Sequence, residues 1–153
     1  MRAPFLGALS LLAAVAHGDS SVSAPVPPTP ELPDRSIVCS TTRPGAGWRC
    51  TVAGDVLELL LRHPEVLARS ARLVPALREG APIGFKLYAI RSGSIFARLL
   101  FQDGDTILRV NGADLTSPET ALWIYARTRE TSHFVVALER KGRRLKAVID
   151  VQR

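Results

Sequence analysis

Hydrophobic and polar positions change period twice along this chain, and each change marks a different kind of element. From Ser36 to Val52, two short extended arms flank "RPGAG", a turn sequence, so a hairpin is predicted. In "GDVLELLLRHPEVLARSARL", Val56, Leu59, Leu60 and His63 fall on one stripe, widened by Leu57 and Leu61. That is a helix period, which Pro64 breaks or restarts. Asp55, Glu58 and Glu65 offset its arginines, so this face is expected to pack on another element, a membrane surface being the alternative.

From Arg72 the period shortens to two. "RLVPAL" and "IGFKLYAI" read as strands joined by "REGAP". In the second run Phe85, Leu87 and Ala89 alternate with Lys86, Tyr88 and Ile90. "SGSIFARLL" predicts a short helix capped by Ser92 or Ser94, and "DTILRVNG" a strand ending in a turn. "TSPETALWIYARTRE" predicts the best helix: Thr116 or Ser117 caps it, Pro118 and Glu119 suit its first turn, and arginines fill its last. "HFVVALER" and "RRLKAVIDV" form a closing hairpin around "KGR". Short alternating strands with two short helices predict a mainly β, α+β fold. The expected form is a small antiparallel barrel or sandwich capped by two helices, preceded by the first helix and the cysteine-containing hairpin.

The first 36 residues carry a different signal. Arg2 precedes an apolar run from Phe5 to Ala16, with small-residue cleavage patterns ending at Ala16 and Gly18. Residues 1–18 therefore read as a secretory signal, the alternative being an uncleaved N-terminal anchor. Residues 19–36 are rich in Pro and Ser and read as a disordered tether. The expected organisation is completed by a hairpin plus helical segment at 37–71 and a folded domain at 72–153. Export fits the cysteine usage. Cys39 and Cys50 would face each other across the hairpin, where an oxidising compartment favours a disulfide; free buried thiols are the alternative. A zinc site lacks the paired-cysteine spacing.

The formal net charge of +6 comes almost wholly from arginines scattered along the chain, not interleaved with aromatics, so no nucleic-acid partner is expected. Three carboxylates, Asp103, Asp105 and Asp114, crowd into "FQDGDTILRVNGADL". Their spacing lacks the ligand register and closing Glu of a calcium loop, so they are expected to shape turns, and neither metal nor cofactor is predicted. His63 and His133 are placed in secondary structure without a nucleophile motif, which argues against catalysis.

Together, "GFKLYAIRSGSIFARLLFQDGDTILRVNGADLTSPETAL" resembles a bacterial PDZ domain, and more narrowly that of the type II secretion system protein C family. The likeness runs from about Arg72 to Val151. It implies a non-catalytic module that recognises peptide C-termini or extended segments in a peptide-binding groove. As carriers it implies Ile83, Gly84 and Phe85 as a carboxylate-binding loop, Leu87 and Ala89 along the strand edge, and Pro118, Leu122 and Tyr125 on the helix wall. Its setting would be the periplasm or outer envelope of a Gram-negative bacterium. Secretion-system components or secreted substrates would be the partners. Alternatives are an adaptor in envelope quality control and a dimerising scaffold with a closed groove. Two departures stand out. Leu100 occupies a position where the family carries a glycine in left-handed conformation, so a reshaped helix end is expected. The segment at 37–71 is also too short for the separate homology domain that precedes the PDZ domain in that family, which suggests a stand-alone relative.

Overall fold

A computed structural model describes residue 28 and residues 30–153. The secretory-signal reading and most of the tether reading lie outside them. Among the described residues no helix is long and apolar enough to cross a membrane. The chain builds β1 (Ile37–Arg43), β2 (Gly47–Ala53), α1 (Gly54–Arg62), α2 (Pro64–Ala68), β3 (Arg72–Arg78) and β4 (Ala81–Tyr88). Then follow α3 (Ile95–Arg98), β5 (Thr106–Val110), β6 (Ala113–Asp114), α4 (Pro118–Arg127), a 3-10 turn (Thr128–Glu130), β7 (His133–Arg140) and β8 (Arg143–Gln152).

The local rules were well placed. Pro64 ends α1 and opens α2 at its first turn. Ser94 caps α3 by accepting from the Ala97 N–H, and Ser117 caps α4 by accepting from the Thr120 N–H at 3.2 Å. Asn111 and Gly112, both with positive φ, turn β5 into β6. The Asn111 side chain then spans to β7, accepting from Val135 N–H at 2.7 Å and donating to the His133 carbonyl at 3.1 Å.

The tertiary arrangement departs from expectation in closure. The strands form one open sheet in the order β1-β2-β8-β7-β5-β4-β3, with β6 on β5. It is mainly β with short helices, as expected, but not a closed barrel: among the described residues β1 and β3 are its edges. The cysteine hairpin does not merely precede the rest. Its β2 runs parallel to β8, from Gly47 opposite Lys146 to Ala53 opposite Gln152, and so continues the sheet. β2 also contributes Trp48, Cys50 and Val52 to the common core, beside Val56, Phe85, Leu87, Ile95, Phe101, Val136 and Leu138. The Trp48 indole fixes the join. Its Nε1 donates to the Leu99 carbonyl at 2.7 Å, and its ring meets Phe101 edge-on at 5.5 Å. Cys39 and Cys50 are opposite one another in β1 and β2 and form a disulfide.

Candidate functional site

A sheet edge can recruit a peptide only where its backbone groups are unspent, so the site is built outward from β4. Leu87 in β4 spends both groups on the β5 side: its N–H donates to the Asp105 carbonyl, and its carbonyl accepts from Gly104 N–H, each at 2.8 Å. In an antiparallel ladder, backbone groups alternate between the two flanks. Leu73, the β3 partner of Leu87, is therefore turned to the open edge, as is Pro75 opposite Phe85. Pro75 has no N–H, so this stretch offers the Leu73 N–H and the carbonyls of Leu73 and Pro75. The side chains of Leu73 and Pro75 share the face of Leu87 and Phe85, but they are exposed while their partners are buried. β3 thus presents an uncovered apolar margin on the core side of the sheet, extended by Leu77 at 64% exposure.

The helix α4 borders the same core. Ala121 and Ile124 pack against the buried cluster. Leu122 and Trp123 point away from it, 68% and 52% exposed. The Arg127 guanidinium covers one face of Trp123, 4.5 Å from the ring centroid. Tyr125 is half-buried, and its hydroxyl donates to the Leu60 carbonyl of α1 at 3.2 Å. Of the three predicted wall residues, Leu122 is the free apolar one. Pro118 is exposed at the first turn, and Tyr125 is anchored to α1.

The strand side of the expected groove needs correction. β4 is flanked by β3 and β5 and has no free edge. Gly84, Phe85 and Leu87 are buried, and Ile83 is half-buried. A Cβ on Gly84 would fall 2.0 Å from the Ile107 carbonyl, so this glycine permits close passage of β5 rather than of a ligand. Ala89 lies beyond the strand, exposed, with φ +49°. The edge residues are instead Leu73 and Pro75. The signal for them was present: a proline inside an apolar run marks an edge strand.

The carboxylates of the Asp-rich stretch are spent separately. Asp103 accepts from Ile90 N–H at 2.9 Å. Asp114 pairs with Arg109. Asp105 is fully buried. It accepts from Gln102 N–H at 2.9 Å and from Nε and Nη2 of Arg140, each at 2.7 Å. Among the described residues no group of three potential metal ligands is present. Arg140, which the sequence did not single out, also donates to the Leu100 carbonyl at 3.0 Å and lies 4.9 Å above the Trp48 ring. The expected reshaping at Leu100 does not occur. Leu100 takes the left-handed conformation itself, φ +65°. The Phe101 N–H donates back to Phe96 and the Leu100 N–H to Ala97, the bond pair of a glycine-type helix end.

No protein-family model matches the chain. It is 25% identical over 87 residues to the type II secretion system protein C of Vibrio cholerae serotype O1. That match covers 57% of this chain and 28% of the relative, so the chain spans little more than a quarter of that protein's length. Among solved structures it is similar to the PDZ domain of EpsC from Vibrio cholerae. Identity is 24%, covering 63% of this chain and 91% of that one, with a TM-score of 0.49. It is also similar to the PDZ domain of the pullulanase C protein of the Klebsiella pneumoniae type II secretion system, in complex with fatty acid. There the identity is 21%, covering 61% and 98%, with a TM-score of 0.41.

Proposed function

We propose that the chain is a non-catalytic recognition module of the Gram-negative cell envelope, a component or relative of the type II secretion machinery, which takes up an extended segment of a partner protein. The observation that carries this reading is the edge of β3. Leu73 offers a donor and an acceptor there, beside an apolar margin of Leu73, Pro75 and Leu77. A peptide added as a further strand would gain main-chain bonds at Leu73 and place alternate side chains between that margin and Leu122. Running antiparallel to β3, it would bring its C-terminus beside residues 69–71 rather than Ile83–Phe85. The disulfide suits an oxidising compartment.

The test is a titration of a peptide library with free and with amidated C-termini, read by amide chemical shifts. Shifts are expected at Leu73, Val74 and Leu122, stronger for the free carboxylates. Leu73→Pro removes the outward N–H at a position where an edge strand tolerates proline, and should weaken binding about tenfold. Equal binding by both peptide forms would remove carboxylate capture. No peptide binding, with a mass that rises with concentration, would favour pairing of β3 between two copies and hence the scaffold reading.

A further inference from the structure

A cavity lies at the opposite half of the sheet from β3. It has a volume of about 440 Å³ and opens between the β1–β2 turn, the loop after α3 and the β7–β8 turn. Trp48, Leu100 and Leu145 make its apolar floor, and Arg140, Lys141 and Arg143 ring it. Among the described residues no acidic one lines it.

Two of the wall residues are fixed by contacts beneath the cavity. Trp48 is fixed by its bond to the Leu99 carbonyl and by Phe101. Arg140 is fixed by Asp105, which neutralises it. Lys141 stands at the hairpin tip with φ +49°, beside Gly142. Arg143 lies over the neighbouring turn: a Cβ on Gly45 would fall 2.4 Å from its Nη2, so the glycine makes room for the guanidinium. Among the described residues neither Lys141 nor Arg143 forms an ion pair. Leu100 is 44% exposed and keeps a backbone conformation that glycine would adopt without cost. An exposed leucine there fills no core; it extends the apolar floor of the cavity.

Cavities of a few hundred Å³ with an apolar floor and a few convergent polar groups are the usual form of a binding site. We infer that this cavity is a second docking site. Its occupant is an acidic segment of a partner protein, with a large apolar side chain on Leu100 and Leu145 beside the rim of the buried Trp48, and adjacent carboxylates on Lys141 and Arg143. Charge complementarity selects this occupant, since among the described residues the rim carries two cations outside any ion pair and no acidic residue. The site is independent of β3 and α4, and its two ligand features are separable by experiment.

The probe is the capped peptide Ac-Asp-Phe-Glu-Leu-NH2, which has no terminal carboxylate and so cannot use C-terminal capture. Its neutral counterpart Ac-Asn-Phe-Gln-Leu-NH2 is the control. Titrated into the oxidised full chain, the acidic peptide should shift the Trp48 indole N–H and the amides of Leu100, Lys141 and Arg143, leaving Leu73, Leu122 and the Trp123 indole unmoved. Reversing both exposed rim charges, Lys141→Glu with Arg143→Glu, should weaken it at least tenfold. Leu100→Gly should weaken it severalfold while the protein melts no lower. Equal shifts from the neutral peptide, unchanged affinity in either variant, or shifts confined to Leu73 and Leu122 would each overturn the proposal. So would binding of phosphatidylglycerol vesicles at these residues without binding of the peptide, which would make the cavity a lipid site.

Discussion

Leu100 and Arg140 meet at one carbonyl, and they illustrate opposite energetic roles. Leu100 holds a left-handed backbone while its side chain is partly in solvent, a conformation that costs an L-residue about 1–2 kcal/mol. Leu100→Gly should therefore raise stability by about 1 kcal/mol, read as a shift in the denaturant midpoint at constant slope. Arg140 does the reverse. It is the ion-pair partner of Asp105, which has no solvent exposure. Arg140→Met would leave a buried carboxylate with one remaining N–H donor, and should cost about 3–5 kcal/mol in equilibrium unfolding. The turn-shaping role expected of Asp105 is met by its bond from the Gln102 N–H. Its arginine was not legible in the chain, because the partner lies 35 residues away, on β7, and spacing carries no information about which strands become neighbours.

The same boundary runs through the elements. Helix ends and hairpin turns depend on a few consecutive residues, so Pro64 and Asn111-Gly112 are legible in the chain alone, and each cap is narrowed to two candidates of which Ser94 and Ser117 serve. Strand order depends on contacts between distant segments. The alternation in β4 was read correctly at Phe85 and Leu87, but alternation is the same for a central strand as for an edge strand. The family likeness points to β4 as the recognition strand, which lies one strand inward of the sheet edge at β3. The parallel docking of β2 on β8 joins Gly47 to Lys146, and no local pattern foretells it. On the β1–β2 hairpin, the disulfide closes a loop of sequence separation 11. Replacing both cysteines by serine should lower stability by about 3 kcal/mol in the chain-entropy account, measured against the oxidised chain in the same buffer.

At the scale of the molecule, one ionic cluster ties three strands. Asp150 on β8 pairs with Arg49 on β2 and lies 2.6 Å from Nδ1 of His133 on β7. The His133 hydrogen bond, followed by Arg49, holds the Asp150 carboxyl below the ordinary aspartate range despite an opposing desolvation effect. A native pKa below the unfolded one means that the unfolded state takes up protons first. The contribution is complete above the ordinary aspartate range and is lost as the pH falls through it towards the lowered native value. Glu65 and Glu119, lowered mainly by backbone hydrogen bonds, act with the same sign. Stability should therefore fall on the acid side, and Asp150→Asn should flatten that limb in a series of urea titrations at stepped pH. A fall of unchanged steepness in the variant would assign the acid sensitivity elsewhere.

The hairpin that carries the disulfide also decides how the fold meets mechanical load. Force entering through the chain ahead of Ile37 would pull on an outer antiparallel strand from its end and peel it one rung at a time. The first rungs are Ile37 opposite Val52 and Val38 opposite Thr51; the third is the covalent bridge. Peeling stops there, and the load passes into β2, which is bonded along its whole length to β8 in parallel register. In shear those bonds must break together. A pulled oxidised chain should yield late and abruptly, while a reduced one should release β1 first, at lower force and with its own small extension. The bridge thus acts as a crack-stopper, set where a module held by its leading end would begin to tear.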